Sequence, residues 1–180
     1  MPAEKRASFL RNIGQDADRL KKLVDRLLEM ARADVLKPAA GETELAPLVG
    51  TLGERYKDHG LSLLFAGEKN ARAKLPAEIL AAVLSNLFDN SRQNGADCVE
   101  VTAQSAGGNL SLKIADNGAG ISPANAEKIF TPFFTTHRDQ GGTGLGLGIV
   151  RSLLNAYGGD VALETSPKGA AFRVTVPRAK

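Results

Sequence analysis

The residues best suited to binding an anion form a glycine-rich run that leads directly into a predicted helix. Between Gly141 and Gly148, five of eight residues are glycine. Unhindered backbone N–H groups at the positive end of a helix dipole bind anions such as phosphates. A P-loop is excluded, because no Gly-Lys-Ser/Thr follows the glycines. A dinucleotide-binding fingerprint is disfavoured, although Glu164 has suitable spacing, because no strand precedes the run.

A second group of polar side chains lies along one predicted helix, which Pro76 opens and Gly95 ends. Asn86, Asn90 and Gln93 recur with helical spacing, so their amides share a stripe beside the apolar face. Amide oxygens are neutral, hard ligands that can share Mg²⁺ with phosphates. A solvated polar face is the alternative interpretation of this stripe.

A carboxylate stands at the end of the next predicted hairpin. Asp116 follows the strand of residues 110–115 and is followed by Gly118 and Gly120. The glycines let backbone approach a ligand closely, and a fixed carboxylate can accept a hydrogen bond from an exocyclic amine such as that of adenine. An ordinary Asp-Asn-Gly turn is the simpler interpretation of this segment by itself.

Residues 117–144, the long loop, show no sustained hydrophobic period, and a loop of this length inside a domain is usually functional or mobile. The phenylalanines of the run 130–134 are expected to anchor this loop to the core, although simple core packing is the alternative. The hydroxyls of Thr135 and Thr136 then come within reach of a ligand.

The elements that must position these groups follow from hydrophobic periodicity. Helical spacing predicts helices over 45–59, from Pro76 to Gly95, and over 145–157. A short apolar strand covers 61–65. Strict alternation predicts one hairpin through 99–114 and another through 161–176. These elements indicate an α+β domain.

The first 35 residues predict one long amphipathic helix, because apolar residues recur there in heptads and proline is absent from 4–35. Its stripe is too apolar to face water, so the helix needs partners in a coiled coil or bundle. The alternative is a helix that folds back on its own domain. A break at residues 37–41 resembles a linker and favours the former.

Composition excludes several classes of function. The chain has 180 residues, 43% of them hydrophobic and 24% charged, which is typical of a globular protein. A formal charge of +3 and the absence of Trp argue against a nucleic-acid partner. A single cysteine, Cys98, fits a reducing compartment, and no apolar run reaches membrane-spanning length. We therefore expect a cytoplasmic segment without membrane contact, whether or not its parent protein is attached to a membrane.

Together, these four motifs resemble the ATP-binding domain of sensor histidine kinases, within the superfamily that includes gyrase, Hsp90 and MutL. The resemblance covers residues 40–178. Residues 86–94 look like the N box, 116–120 like the first glycine box, 130–134 like the phenylalanine box, and 142–147 like the second glycine box. The leading helix is similar to the second helix of the family's dimerisation and phosphoacceptor hairpin.

The resemblance implies a fold and a domain division. The fold is a two-layer α/β sandwich, with a mixed, mostly antiparallel sheet of about five strands and three helices on one face. Residues 1–36 form the dimerisation-type helix, and residues 40–180 form the ATP-binding catalytic domain.

The resemblance also implies roles for site residues, with ATP and Mg²⁺ as cofactors. Asp116 holds the adenine amino group, Asn90 coordinates Mg²⁺, and Asn86 lies near the phosphates. The remaining nucleotide-binding positions are Gly118, Gly120, Ile121, Thr135, Thr136, Gly142, Thr143, Gly144, Leu145, Gly146 and Leu147.

By the same resemblance, the γ-phosphoryl group passes to a histidine on the first hairpin helix of the same parent protein, which is expected to be a homodimer, and then to an aspartate of a response regulator. The two histidines of this chain, His59 and His137, lack the acceptor's setting and are expected to be ordinary surface imidazoles. We therefore expect Mg-ATP binding without self-phosphorylation. The alternatives are another ATPase or serine kinase of the superfamily, or a nucleotide-sensing module without turnover.

One departure from the family pattern concerns charge. Gln93 and Asn94 stand where many relatives have a lysine and an aromatic residue, so a cation that neutralises phosphate is missing. Arg92 and Arg138 are the two candidates to replace it.

Overall fold

The computed structural model describes residues 3–35, 38–137 and 142–179. Arg138 and Gly141 lie outside the described residues. The elements in chain order are α1 (Ala3–Asp34), β1 (Thr43–Glu44), α2 (Leu45–Lys57), β2 (Ser62–Gly67), β3 (Arg72–Ala73), α3 (Ala77–Gln93), β4 (Cys98–Ala106), β5 (Asn109–Asp116), α4 (Pro123–Ala126), α5 (Gly146–Ala156), β6 (Asp160–Glu164) and β7 (Ala171–Pro177).

The main sheet has five strands in the order β2-β4-β5-β7-β6. β2 pairs with β4 in parallel, and the other three pairings are antiparallel. The β4–β5 hairpin turns at Gly107 and Gly108, whose positive φ values of 59° and 83° suit a tight two-residue turn. The register places Ile114 between Val101 and Phe172, so apolar side chains line up across the strands.

One face of this sheet carries the core. The inward residues of β4, β5 and β7 are fully buried, whereas Glu100, Lys113 and Arg173 on the opposite face are exposed. Helices α2, α3 and α5 cover the buried face with residues such as Leu84 and Leu154. The predicted α+β fold, a two-layer sandwich with a mixed sheet and helices on one face, is confirmed.

Three features differ from the sequence-based expectation. β1 and β3 form a separate two-stranded sheet, and the short helix α4 interrupts the long loop. β2 lies at the sheet edge, parallel to a strand 36 positions further along the chain, with Ser62 opposite Cys98. The two-residue strands β1 and β3 are too short to show a recognisable sequence pattern. The direction of β2 is set by the crossover connection to β4 and not by its local sequence.

Helix α1 is long, as predicted, and its two ends differ in their surroundings. Ala33 is buried and Met30 packs against the core, where the last turns of α1 contact α5. Further back, Phe9, Leu20 and Leu27 are 59%, 62% and 50% exposed. The helix therefore folds back onto the domain only at its C-terminal end, and its upstream apolar stripe is uncovered. None of the described helices is long and apolar enough to span a membrane.

Candidate nucleotide-binding site

A cleft of about 1030 Å³ lies between α3, the long loop and the first turn of α5, with part of α1 along one side. Its volume is in the range of pockets that enclose a small organic ligand. The sequence-predicted residues that line it are Asn86, Asn90, Gly120, Ile121, Thr135, Thr136, Gly142, Thr143, Gly144, Gly146 and Leu147. Residues 57 positions apart in the chain therefore meet at one site, as Asn90 and Leu147 do.

Three sequence-predicted residues do not line this cleft. Leu145 is fully buried in the core, so its side chain anchors the start of α5 instead of contacting a ligand. Asp116 is buried, with 7% of its surface exposed, and Gly118 lies beside it. The carboxylate is therefore not part of the cleft wall, but it is hydrogen-bonded to Ser91, which follows the lining residue Asn90 in α3.

Two amide side chains present oxygen atoms from α3. Asn86 is buried and donates its Nδ2 hydrogen to the Ala82 carbonyl oxygen at 2.9 Å. That bond fixes the amide so that its Oδ1 atom faces the cleft. Asn90, one turn later, is half-buried and its side chain forms no hydrogen bond with another described residue. The Asn90 oxygen is thus available as a hard, neutral ligand, whereas the Asn86 Oδ1 atom already accepts a hydrogen bond from Arg26 and keeps one lone pair.

Asp116 is held by donors from three separate segments. Its Oδ1 atom accepts hydrogen bonds from the backbone N–H of Gly118 at 2.9 Å and of Ala170 at 3.0 Å. Its Oδ2 atom accepts one from the Ser91 hydroxyl at 2.8 Å. Because a carboxylate oxygen can accept two hydrogen bonds, Oδ2 keeps a lone pair for a further donor. The carboxyl group is therefore preorganised to accept a hydrogen bond from an amine.

The start of α5 supplies the positive end of a helix dipole. The helix begins at Gly146, and no side chain caps its N-terminus. The first backbone N–H groups of a helix have no partner within it, so they are available to an anion in the cleft. Gly144 has φ +69°, and a Cβ there would lie 2.5 Å from the carbonyl carbon of Phe133. Only glycine fits this close approach of the two backbone segments.

The phenylalanines of the long loop divide into two groups. Phe130 packs edge-on against Phe172 at 6.4 Å and lies beneath the Arg151 guanidinium at 4.2 Å, and Phe134 also packs against the core. Phe133 instead is 52% exposed and has φ +66°. The expected anchoring role therefore holds for Phe130 and Phe134 and is wrong for Phe133.

Two side chains bridge the cleft. The His137 Nε2 atom lies 2.9 Å from Asn94 Oδ1, which joins the long loop to the end of α3. The expectation that His137 is an ordinary surface imidazole is therefore wrong, whereas His59 is exposed as expected. Arg26 of α1 donates from Nη1 to Asn86 Oδ1 at 2.7 Å.

Tyr56 of α2 supports Asp89 of α3, which lines the cleft. The phenol oxygen lies 3.0 Å from Asp89 Oδ1 and 3.1 Å from the Ser85 carbonyl oxygen. Burial, followed by the negative charge of Asp89, raises the pKa of Tyr56 to about 12. The phenol is thus a stable hydrogen-bond donor that fixes the orientation of Asp89.

Motif reasoning missed several residues of the site. Ser91 lies on the buried stripe of α3 with Leu84, Leu87 and Phe88. A single hydroxyl among these apolar residues is the sequence feature that could have indicated its role. Arg26 gave no such signal, because an arginine on the polar side of an exposed helix is common.

Comparisons with known proteins agree with this geometry. The model of the family described as histidine kinase-, DNA gyrase B-, and HSP90-like ATPase matches residues 76–180. The C4-dicarboxylate transport sensor protein DctB of Rhizobium meliloti is 33% identical over 96% of this chain and 29% of its own length. The sensor histidine kinase ZraS of Klebsiella oxytoca is 30% identical over 92% of this chain and 37% of its own length.

Among solved structures, full-length ShkA in complex with AMPPNP superimposes with a TM-score of 0.77 at 26% identity, over 100% of this chain and 40% of that chain. This chain thus spans well under half the length of these proteins. It belongs to the family of histidine kinase-, DNA gyrase B- and HSP90-like ATPases, and it is an ATP-binding catalytic domain of the sensor histidine kinase type.

Proposed function

We propose that this chain binds Mg-ATP and presents its γ-phosphoryl group to a histidine that lies outside the chain, as part of a two-component sensor kinase. The observation that carries this proposal is the proximity of three features. The amide face of α3 and the uncapped start of α5 line one cleft. The fixed carboxyl group of Asp116 lies next to that cleft, bonded to Ser91, the chain neighbour of the lining residue Asn90. No single one of them is specific, but an adenine nucleotide needs all three.

The adenine end of the nucleotide lies over Asp116 in this proposal. The free lone pair of Oδ2 accepts the exocyclic amino hydrogen, while Ser91 and two backbone N–H groups keep the carboxylate in place. Gly120 and Ile121 line the same end of the cleft. Because the carboxylate is an acceptor only, a ring that presents an amine here is favoured over one that presents a carbonyl oxygen.

The phosphate end lies at the glycine-rich run and the first turn of α5. The backbone N–H groups there stabilise negative charge, and Thr135, Thr136 and Thr143 add hydroxyl donors around the same space. At Gly142 and Gly144 a Cβ would collide with Thr135, His137 and the Phe133–Phe134 backbone, so glycine allows the loop segments around the proposed phosphate position to pack closely.

Asn90 is the proposed Mg²⁺ ligand. The described residues contain no cluster of three or more His, Cys, Asp or Glu side chains that could hold a metal ion. A single amide oxygen suits an ion such as Mg²⁺, which takes most of its ligands from phosphates and water. When bound, Mg²⁺ neutralises charge on the transferring phosphate. Asn86, held by its bond to Ala82, orients the phosphates beside it.

The remaining roles belong to the same proposal. Helix α1 acts as the dimerisation-type helix of the segment 1–36, and residues 40–180 act as the catalytic domain. The acceptor histidine lies on another dimerisation helix of the same parent protein, which is a homodimer. A response regulator then receives the phosphoryl group, and the reaction takes place in the cytoplasm. Phosphoryl transfer depends mainly on positioning and charge neutralisation, which agrees with a cleft built from amides and backbone N–H groups.

Incubation with γ-labelled ATP tests this function. We expect no acid-labile label on the chain alone, and label on a histidine-bearing dimerisation hairpin supplied as a separate polypeptide. Replacement of Asn90 by Ala removes that transfer, while Arg173→Ala, on the opposite face of the sheet, leaves it intact.

Acid-labile label on the chain itself contradicts the external acceptor. Rapid release of labelled phosphate without any transfer favours an ATP-hydrolysing relative instead. ATP binding without hydrolysis or transfer favours a nucleotide-sensing module.

A further inference from the structure

Helix α1 contributes charged side chains to the cleft that none of the sequence motifs includes. Asp25, Arg26 and Glu29 all lie along its wall. The Arg26 Nη1 atom donates to Asn86 Oδ1 at 2.7 Å and to Glu29 Oε2 at 3.0 Å. Its Nη2 atom lies 3.6 Å from Asp89 Oδ2, which is an ion pair without a hydrogen bond.

Some N–H donors of the Arg26 guanidinium remain unused, and their arrangement suits a phosphate. An arginine has five N–H donors, and the two on Nη1 are taken by Asn86 and Glu29. The Nη2 and Nε donors of Arg26 form no hydrogen bond with another described residue. These atoms make the side-on fork that matches two oxygens of a phosphate.

Arg26 also lies where a phosphate is expected, next to the N-terminus of α5. The Asn86 Oδ1 atom that holds it lies 3.3 Å from the point where a Cβ on Gly146 would be, so the guanidinium is anchored at the first turn of α5. Two features that favour an anion, an arginine fork and a helix N-terminus, therefore meet at one place.

The negative charge of the cleft would repel a phosphate unless a cation opposed it. The carboxylates of Asp25, Glu29 and Asp89 line it, and among the described residues Arg26 and Arg92 are the arginines that oppose them. Arg92 is exposed in the last turn of α3, whereas Arg26 is held by hydrogen bonds at the polar end of the cleft.

We propose that Arg26 is a phosphate-binding residue of the nucleotide site, contributed by α1 and not by the catalytic domain itself. This inference rests on the proposed ATP function. The guanidinium stays on Asn86 and turns its free fork toward the phosphates. Because the last turns of α1 pack on α5, nucleotide binding and the packing of α1 then stabilise each other, and this coupling is reciprocal.

Calorimetric titration of ATP and adenosine into the full chain tests the proposal. A charge-assisted hydrogen bond corresponds to about a tenfold to hundredfold change in affinity, so Arg26→Ala should weaken ATP binding by about that factor. Adenosine, which lacks phosphate, should bind the variant as it binds the unmodified chain. Arg26→Lys keeps the charge without the fork and should recover only part of the loss.

Arg173→Ala is the matched control, because it lowers the net charge by one, as Arg26→Ala does. The ion pair of Arg173 with Glu164 lies outside the cleft. It should leave both affinities unchanged. A second readout is amide hydrogen exchange in residues 30–34, which ATP should slow in the unmodified chain and not in Arg26→Ala.

Unchanged ATP affinity in a folded Arg26→Ala variant overturns the proposal. Tighter ATP binding in that variant overturns it as well, because Arg26 would then be a plug that the nucleotide must displace. If the unmodified chain binds neither ATP nor adenosine, the proposed function fails along with this inference. If it binds both and only the Arg26 effect is missing, the proposed function stands.

Discussion

Replacement of Asp116 by Asn separates nucleotide recognition from folding. The Asn Oδ1 atom can still accept the hydrogen bonds of the Gly118 and Ala170 backbone N–H groups. Its Nδ2 group replaces Oδ2 and donates to Ser91, whose hydroxyl lies 3.2 Å from the Leu87 carbonyl oxygen and can turn toward it. The variant therefore keeps its buried hydrogen bonds while the site presents a donor to the adenine amine.

The expected magnitude follows from the lost charged acceptor. A hydrogen bond to a charged group contributes about 1.5–3 kcal/mol, so ATP affinity should fall about tenfold to hundredfold. At an ATP concentration of about 100 times the Kd of the unmodified chain, ligand stabilisation is about 2.7 kcal/mol. At the same concentration it falls to roughly 0.4–1.4 kcal/mol in the variant.

Differential scanning fluorimetry with and without Mg-ATP measures this difference. For a chain of this size each kcal/mol corresponds to about 2–4 °C, so a shift of about 5–11 °C should fall to about half or less. Asp116→Ala is the contrasting variant, because it leaves the Gly118 and Ala170 backbone N–H groups without their acceptor and should lower the melting temperature of the unliganded protein. An undiminished ATP-induced shift in a folded Asp116→Asn variant would refute the adenine assignment.

Three further predictions concern other parts of the chain. Gly144→Ala forces a Cβ into a left-handed backbone position against the long loop, so the melting temperature and ATP affinity should both fall, and scanning fluorimetry with and without ATP checks this. Since the folded-state pKa of Tyr56 is about 12 and the ordinary value is 10.0, the stabilisation by its protonated phenol is complete below pH 10 and is lost as the pH rises to about 12. Urea unfolding from pH 9 to 12 should show this loss in the unmodified chain and a smaller one in Tyr56→Phe. Replacement of exposed Leu20 and Leu27 by Gln should weaken self-association in sedimentation velocity without changing ATP affinity, and an unchanged sedimentation profile from a self-associating parent contradicts the dimerisation role of α1.

The parts of the fold that local pattern controls were predictable from the sequence. The hairpin of β4 and β5 alternates strictly and turns at two glycines, so both its strands and its turn could be located. Helix α3 could be bounded by Pro76 and Gly95, because each residue has a defined conformational effect at a helix end.

Other features depend on contacts between distant parts of the chain. The parallel pairing of β2 with β4 and the Ser91–Asp116 hydrogen bond join residues whose relation is set only by the complete fold. Leu145 shows the limit of motif transfer, since its place in a glycine-rich motif suggested a ligand contact while its side chain fills the core. A motif fixes the course of the backbone more closely than the direction of each side chain.

The two ends of the site differ in the backbone structure that holds them. Asp116 belongs to the central strand β5, bonded on both sides to neighbouring strands, and the backbone N–H of Ala170, just before β7, helps to hold it. The proposed phosphate end instead lies largely on backbone outside helices and strands, around Thr135 and Thr143. A compound that mimics only the purine therefore meets a surface that is already ordered and loses little conformational entropy on binding. Selectivity among kinases of this type is better sought at the opposite end, where local stability is lower and backbone geometry differs more readily between homologues.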